Sequence, residues 1–301
     1  MIDRALFLPR DAFATRDDGG NRGERGEREV IVRWLGTAGF ALEHGGFTVL
    51  VDPYVTRASL SQCMLSALRP DVSAIARHVP RADAIVVGHT HFDHVLDVPV
   101  IAKRTKARVF GSTSAAHLCR AAEVDAAQVV DVERAIKSGV FEAEVGPFRL
   151  RFFPSAHSKL MLGRVPWPGD IDDCDALPMR LSHYRCGAVF ACELAVAGKR
   201  VLHLGSAELV EANLPKSAQS PNLLLTCVAG WTKSERFPER LAKVLAPRNV
   251  LLSHWDDFFR PIDEEARALP VLRTHALIDR LTRACGDVRI GVVGIGGELV
   301  L

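Results

Sequence analysis

The stretch Val86-Val87-Gly88-His89-Thr90-His91-Phe92-Asp93-His94 places three imidazoles and a carboxylate within six consecutive residues, behind two valines and a glycine. The valines predict the end of a buried strand, Gly88 a turn, and the pattern over Val95–Lys106 a helix. Histidine is seldom fully buried, and several together repel one another when protonated. Packing is therefore a poor explanation for the cluster. Neutral imidazoles with a carboxylate are the donors that a borderline metal such as zinc selects. In an irregular strand-to-helix turn, His89 and His91 can face one ion while Asp93 and His94 face another.

Outward from this stretch the texture is that of two packed sheets flanked by helices, an α/β (α+β) class. Val30–Leu35, Phe40–Glu43 and Phe47–Val51 read as hairpin strands punctuated by Gly36, Gly39, Gly45 and Gly46. Further strands are expected at Ala84–Val87, Arg108–Phe110, Val129–Val132, Phe148–Phe153, Ala188–Glu193, Arg200–Leu204, Leu223–Cys227, Val250–Ser253 and Val288–Val293. Helices are expected at Ser114–Ala122, Glu235–Leu245 and Glu264–Cys285. Ser158–Gly187 has little periodicity and is long for a connection, as lids and binding loops often are.

The chain has 301 residues, 48% hydrophobic and 25% charged, enough for a substantial core. Residues 1–29 are expected to form a mobile leader, because Asp11–Glu29 has almost no apolar side chains after Phe13. Residues 30–301 are expected to form one domain. The net charge of +2 gives no reason to expect a nucleic-acid partner, and no apolar run has the length of a transmembrane segment. Seven scattered cysteines read as reduced thiols of a cytoplasmic protein. A small-molecule substrate is the expected partner, and the composition is compatible with a homo-oligomer.

His89-x-His91-x-Asp93-His94 resembles the signature of the metallo-β-lactamase superfamily. Trp34-Leu35-Gly36-Thr37-Ala38-Gly39-Phe40 and Thr48-Val49-Leu50-Val51-Asp52-Pro53 resemble the opening hairpin of its branch of ascorbate-6-phosphate lactonase-like hydrolases. The resemblance covers about Val30 to Leu301 and implies a four-layer αββα sandwich with its site at one edge of the two sheets. It implies that His157 joins His89 and His91 around a first metal. It likewise implies that His254 joins Asp93 and His94 around a second. Asp52 would hold the histidine loop, as groups behind metal ligands do. His44, His78, His117, His203 and His275 match no such partner and are expected to be structural or at the surface.

The resemblance breaks at Ser206, where the superfamily often carries an aspartate bridging two metals. A hydroxyl is a poor zinc ligand, so the count is one or two ions, with two favoured because Asp93, His94 and His254 remain. Glu208 is near enough in sequence to substitute through water. Histidine at position 91, where oxygen-reducing iron relatives carry glutamate, argues for zinc, although manganese also tolerates such a site. The implied activity is a metal-dependent hydrolase of a small ester or lactone-like molecule, in which Asp93 also orients the attacking water. Tyr184, Arg185, Trp231 and Trp255 are candidate substrate contacts, with Arg164, Trp167, His183 and Lys233 as further loop candidates. Arg185 would favour an anionic substrate. The alternatives are a phosphodiesterase resembling N-acylphosphatidylethanolamine phospholipase D and a non-catalytic metal-binding module.

Overall fold

The computed structural model describes residues 2, 4–13, 29–160, 162–172, 177–215 and 220–301. Its first sheet contains β1 (Ile31–Gly36), β2 (Gly39–His44), β3 (Phe47–Val51), β4 (Ala84–Val86), β5 (Arg108–Gly111) and β6 (Val129–Asp131). The second contains β7 (Phe141–Val145), β8 (Phe148–Pro154), β9 (Phe190–Val196), β10 (Lys199–Leu204), β11 (Leu223–Cys227), β12 (Asn249–Ser253) and β13 (Arg289–Gly291). The chain then returns to the first sheet as β14 (Glu298–Val300), antiparallel to β1. The strand orders are β14-β1-β2-β3-β4-β5-β6 and β13-β12-β11-β10-β9-β8-β7.

Side chains alternate across a strand, so each strand of the first sheet feeds two cores. Trp34, Phe40, Leu42, Val49, Val51, Val86 and Phe110 point into the core shared with the second sheet. Their neighbours Leu35, Ala41, Leu50, Ile85 and Val109 pack outward with Ile75 of α2 (Val72–His78), Ile101 of α4 (Val98–Thr105) and Leu118 of α5 (Thr113–Ala121). On the far side, Phe237 and Leu241 of α7 (Phe237–Leu245) and Leu277 and Leu281 of α8 (Thr274–Cys285) pack with the second sheet. Helix, sheet, sheet and helix layers result, as expected from the sequence.

Several boundaries differ from expectation. The helix expected at Val95–Lys106 is two helices, α3 (Phe92–Val95) and α4, separated by Leu96 and Asp97. The break frees the Asp97 carboxylate to accept the Val55 and Thr56 N–H groups at 2.7 and 2.9 Å. The helix expected from Glu264 begins only at Thr274, after a 3-10 turn at Pro270–Leu272. Strands β7 and β14 and helices α1 (Leu60–Leu65), α2 and α6 (Val132–Ala135) were not expected.

Part of the segment expected to be a mobile leader is docked. Leu8 N–H donates to Val292 O, and Val292 N–H to Leu6 O, both at 2.8 Å. Val300 N–H donates to Arg10 O, also at 2.8 Å, and Phe13 is buried in the core between the sheets. Leu6, Leu8 and Phe13 supply the apolar contacts that hold this part there. Residues 14–28 of the expected leader lie outside the described residues.

Candidate metal centre

Strand ends and one short helix deliver the side chains of the centre. Asp52 follows β3, His89 and His91 follow β4, His157 follows β8 and His254 follows β12; Asp93 and His94 lie on α3. Gly88 makes the histidine turn feasible, because a Cβ there would lie 2.9 Å from Asp52 Oδ2. Its N–H instead donates to Asp52 Oδ1 at 2.6 Å, and its carbonyl accepts Phe190 N–H at 2.8 Å. Asp52 and His254 hold positive φ angles of 43° and 56°, a strained region for non-glycine residues that often marks functional sites.

Among the described residues three donor sets form; in one, Asp52 with His89 and His94, the carboxylate already accepts His94 Nδ1–H and Gly88 N–H, which leaves the other two for metal. One ligand atom from each of His89, His91 and His157 lies within 4.8 Å of the others, and the same holds for Asp93, His94 and His254. His157 is half-buried and the other five are buried. Hydrogen bonds select the nitrogen each ring can offer. His91 donates through Nε2 to Pro166 O at 2.8 Å, leaving Nδ1. His157 donates through Nδ1 to Ser158 O at 2.7 Å, and His94 through Nδ1 to Asp52 Oδ2 at 2.8 Å, leaving Nε2 in both.

His89 is the telling member. Both of its ring nitrogens are buried without a hydrogen-bond partner among the described residues, as is Nδ1 of His254. Each such unsatisfied atom costs about 1–3 kcal/mol, and a metal ion would relieve the His89 nitrogen whose lone pair it takes. The residues present therefore fit a metal.

The electrostatics agree. Burial, then the neighbouring imidazoles, push His89 well below the ordinary histidine range. Burial also lowers His91, and it lowers His157 to about 3. These rings stay neutral, as metal ligation requires. Burial opposes ionisation of Asp93, but His94 and His254 outweigh it and hold the carboxyl below its usual range. Burial likewise opposes a charge on His94, yet Asp52 and Asp93 raise its pKa.

Ser206 is buried, and its Oγ accepts Ser158 N–H at 2.9 Å, which ties down the residue after His157. Glu208 turns to Arg240 Nη1 at 2.8 Å. Of the expected substrate contacts, Tyr184, Trp231 and Trp255 are packed in the cores. Trp255 stacks on Trp34 at 5.0 Å, and Trp231 donates to Leu272 O at 2.7 Å. The apolar area of these rings outweighs any gain from facing a loop ligand. Arg185 alone of the four is exposed.

Two other aromatic rings flank the donors. Trp167 meets His91 edge-on at 6.3 Å, and Phe258 meets His254 edge-on at 5.0 Å. Phe258 was missed, although the pair Phe258-Phe259 four residues after a proposed ligand was a visible signal. His203, expected to be structural or at the surface, is buried with Nδ1 4.0 Å from Asp52 Oδ2.

The Ser158–Gly187 segment is anchored at several points. Thr90 N–H and Oγ1 donate to Cys186 O and Arg185 O at 2.9 and 2.6 Å, and Ile171 N–H donates to Ser114 Oγ at 3.0 Å.

A sequence model of the beta-lactamase superfamily domain matches residues 48–255, spanning Asp52, the histidine cluster, His157 and His254. The chain belongs to the metallo-β-lactamase superfamily. A UPF0173 metal-dependent hydrolase of Anaeromyxobacter sp. (strain K) is 25% identical over 238 residues, covering 78% of this chain and 77% of that protein. A UPF0173 protein of Pyrococcus furiosus is 24% identical over 232 residues, covering 77% and 86%. Among solved structures, the metallo hydrolase Igni18 of Ignicoccus hospitalis superposes with a TM-score of 0.58 at 18% identity, covering 91% of this chain and 98% of its own. CmlA, a diiron β-hydroxylase of Streptomyces venezuelae, gives 0.58 at 15% identity and covers 90% and 54%. The structural likenesses establish the fold. Within the superfamily this chain is a metal-dependent hydrolase. Among the described residues, no helix is long and apolar enough to cross a membrane.

Proposed function

We propose that the centre holds two zinc ions, one on His89, His91 and His157 and one on Asp93, His94 and His254, and hydrolyses a small ester or lactone-like substrate. The observation that carries the reading is His89, a neutral ring whose two buried nitrogens have no partner among the described residues, beside two further imidazoles. Five imidazoles and one carboxylate suit zinc better than the oxygen-rich sites of harder ions, with manganese the next candidate. When bound, zinc supplies a hydroxide nucleophile near neutral pH and polarises the substrate oxygen.

The chain supplies the rest. Asp93, held ionised, accepts a proton-bearing contact from the attacking water and fixes its direction. Asp52 keeps the His94 ring oriented, and Ser206 steadies the His157 turn. Trp167 and Phe258 form apolar walls beside the two donor sets and exclude bulk water. The exposed Arg185 is available to an anionic substituent. The six described cysteines are free, which supports a reducing, cytoplasmic setting.

The test is metal analysis of the purified protein together with hydrolysis of a lactone panel and of bis(p-nitrophenyl) phosphate. Two equivalents of zinc and lactone turnover are expected. Turnover of the phosphodiester alone would replace the substrate class, and an inert, metal-free protein would refute the proposal.

A further inference from the structure

A buried ion pair lies behind the second donor set, formed by residues that are not themselves donors. Asp256 follows His254 by two residues, and its Oδ2 takes Arg57 Nη1 at 2.7 Å, with both side chains 1% exposed. The Asp256 oxygens also accept Thr37 N–H, at 3.1 and 3.2 Å. The Thr37 carbonyl in turn accepts His254 N–H at 2.7 Å and the Trp34 indole N–H at 3.1 Å. Arg57 thus reaches the backbone of His254 through one carboxylate and one residue, Thr37.

The other end of the path reaches His94. Arg57 follows Val55 and Thr56, whose N–H groups are held by Asp97, three residues beyond His94. The backbone of His254 is thus tied by hydrogen bonds through Thr37 and Asp256 to Arg57, and the neighbouring Val55 and Thr56 are tied to Asp97. Short covalent stretches join Thr56 to Arg57 on one side and Asp97 to His94 on the other; the two rings have centroids 5.7 Å apart.

The local backbone is held against its preference. Thr37, Arg57 and His254 all have positive φ, at 51°, 53° and 56°. Such conformations persist only where the surroundings over-determine them. Gly36 makes the room, since a Cβ there would stand 1.6 Å from Arg57 Nη2.

Stability alone is a weak account of the pair. Arg57 Nε and Nη2 are buried without hydrogen-bond partners among the described residues. An incompletely satisfied buried ion pair is often no better for stability than well-packed apolar residues of similar volume. What an apolar pair cannot supply is a fixed acceptor for Thr37 N–H.

We infer that Arg57 and Asp256 are positioning residues that fix His254 relative to His94 and so set the affinity of the second metal site. The inference rests on the assignment of Asp93, His94 and His254 to that site.

The experiment compares the full-length wild-type chain, Asp256→Asn, and the double variant Arg57→Met with Asp256→Leu, using cobalt(II) as probe. Calorimetry gives the two binding constants, and amide hydrogen exchange of the metal-free proteins reports on Thr37 and His254. The double variant should fold and bind the first cobalt as wild type does, but bind the second about 10–100-fold more weakly. Its His254 amide should exchange faster, while amides of Leu202 and Leu225 in the sheet are unchanged. A second constant equal to that of wild type would overturn the inference. So would protection lost evenly along the chain, which marks a purely structural role. If the wild type binds no cobalt, the metal assignment fails; unchanged His254 exchange in the variants would then refute the positioning as well, and selective loss would sustain it.

Discussion

His94 donates through Nδ1 to Asp52 Oδ2 at 2.8 Å, and the other oxygen of that carboxylate takes Gly88 N–H at 2.6 Å. One buried acid thus holds both the turn that presents His89 and a ring of the second donor set. Asp52→Ala should weaken metal binding about 10–100-fold, measured by chelator competition. It should also destabilise the fold by about 1–3 kcal/mol, because Gly88 N–H is left buried and unmatched. Unchanged metal affinity would mean that His94 needs no such support.

Gly205 closes the other side of Asp52. A Cβ at this position would lie 2.8 Å from Asp52 Oδ2 and 3.1 Å from His203 Cε1. Gly205→Ala should therefore lower stability by about 1–3 kcal/mol, as overpacking does, and reduce kcat by displacing Asp52. Thermal melts and steady-state kinetics check the two effects separately.

Stability of the metal-free protein should fall on acidification. His89, His91 and His157 have lowered folded-state values, His157 about 3, against 6.5 for an ordinary histidine. Their stabilising contribution is complete above about 6.5 and is lost as pH falls through each folded value, about 3 for His157, at up to about 1.4 kcal/mol per pH unit for each ring. His94 runs the other way: its raised value gives a contribution complete below 6.5 and lost as pH rises through the folded value. Asp97, whose carboxyl burial raises to about 6, also opposes the trend, since it favours the fold as pH drops below that value; the three lowered rings outweigh these two groups. Denaturant melts of the chelated protein from pH 7.5 to pH 4 should show this loss, and a flat profile would contradict the neutral, buried triad.

The sequence was informative wherever a physical constraint was local. The strand pattern of the first sheet showed because every second residue enters one core and its neighbour the other, as Val49 and Leu50 do. The edge strand β7 escaped because its glutamates Glu142 and Glu144 weaken the apolar signal, and it is completed by cross-strand pairing of Glu142 with Arg149 and Arg151. Helix α1 escaped because it exposes Leu60, Met64 and Leu65 and buries only Cys63, so no apolar stripe appears. At the candidate centre, the structure brings His157 and His254, expected from the six-residue cluster, within 4.8 Å of its donors. Nothing local distinguishes a tryptophan turned into a core from one turned toward a ligand, which is why Trp231 and Trp255 were misplaced. The Arg57–Asp256 contact joins residues 199 positions apart and left no trace in either segment.

Ser206→Ala should act through the neighbouring turn. It removes the acceptor for buried Ser158 N–H and should cost about 1–2 kcal/mol. Because His157 donates to Ser158 O, first-ion affinity should fall with it. Calorimetric metal titration would show a weakened tighter site; an effect on the weaker site alone would place Ser206 elsewhere in the mechanism.

The most direct measurement is anomalous X-ray scattering at the zinc edge from crystals grown with zinc. The account predicts one peak bounded by His89, His91 and His157 and a second bounded by Asp93, His94 and His254. Diffraction maps with no anomalous density between those side chains, from protein that binds no zinc in solution, would contradict it.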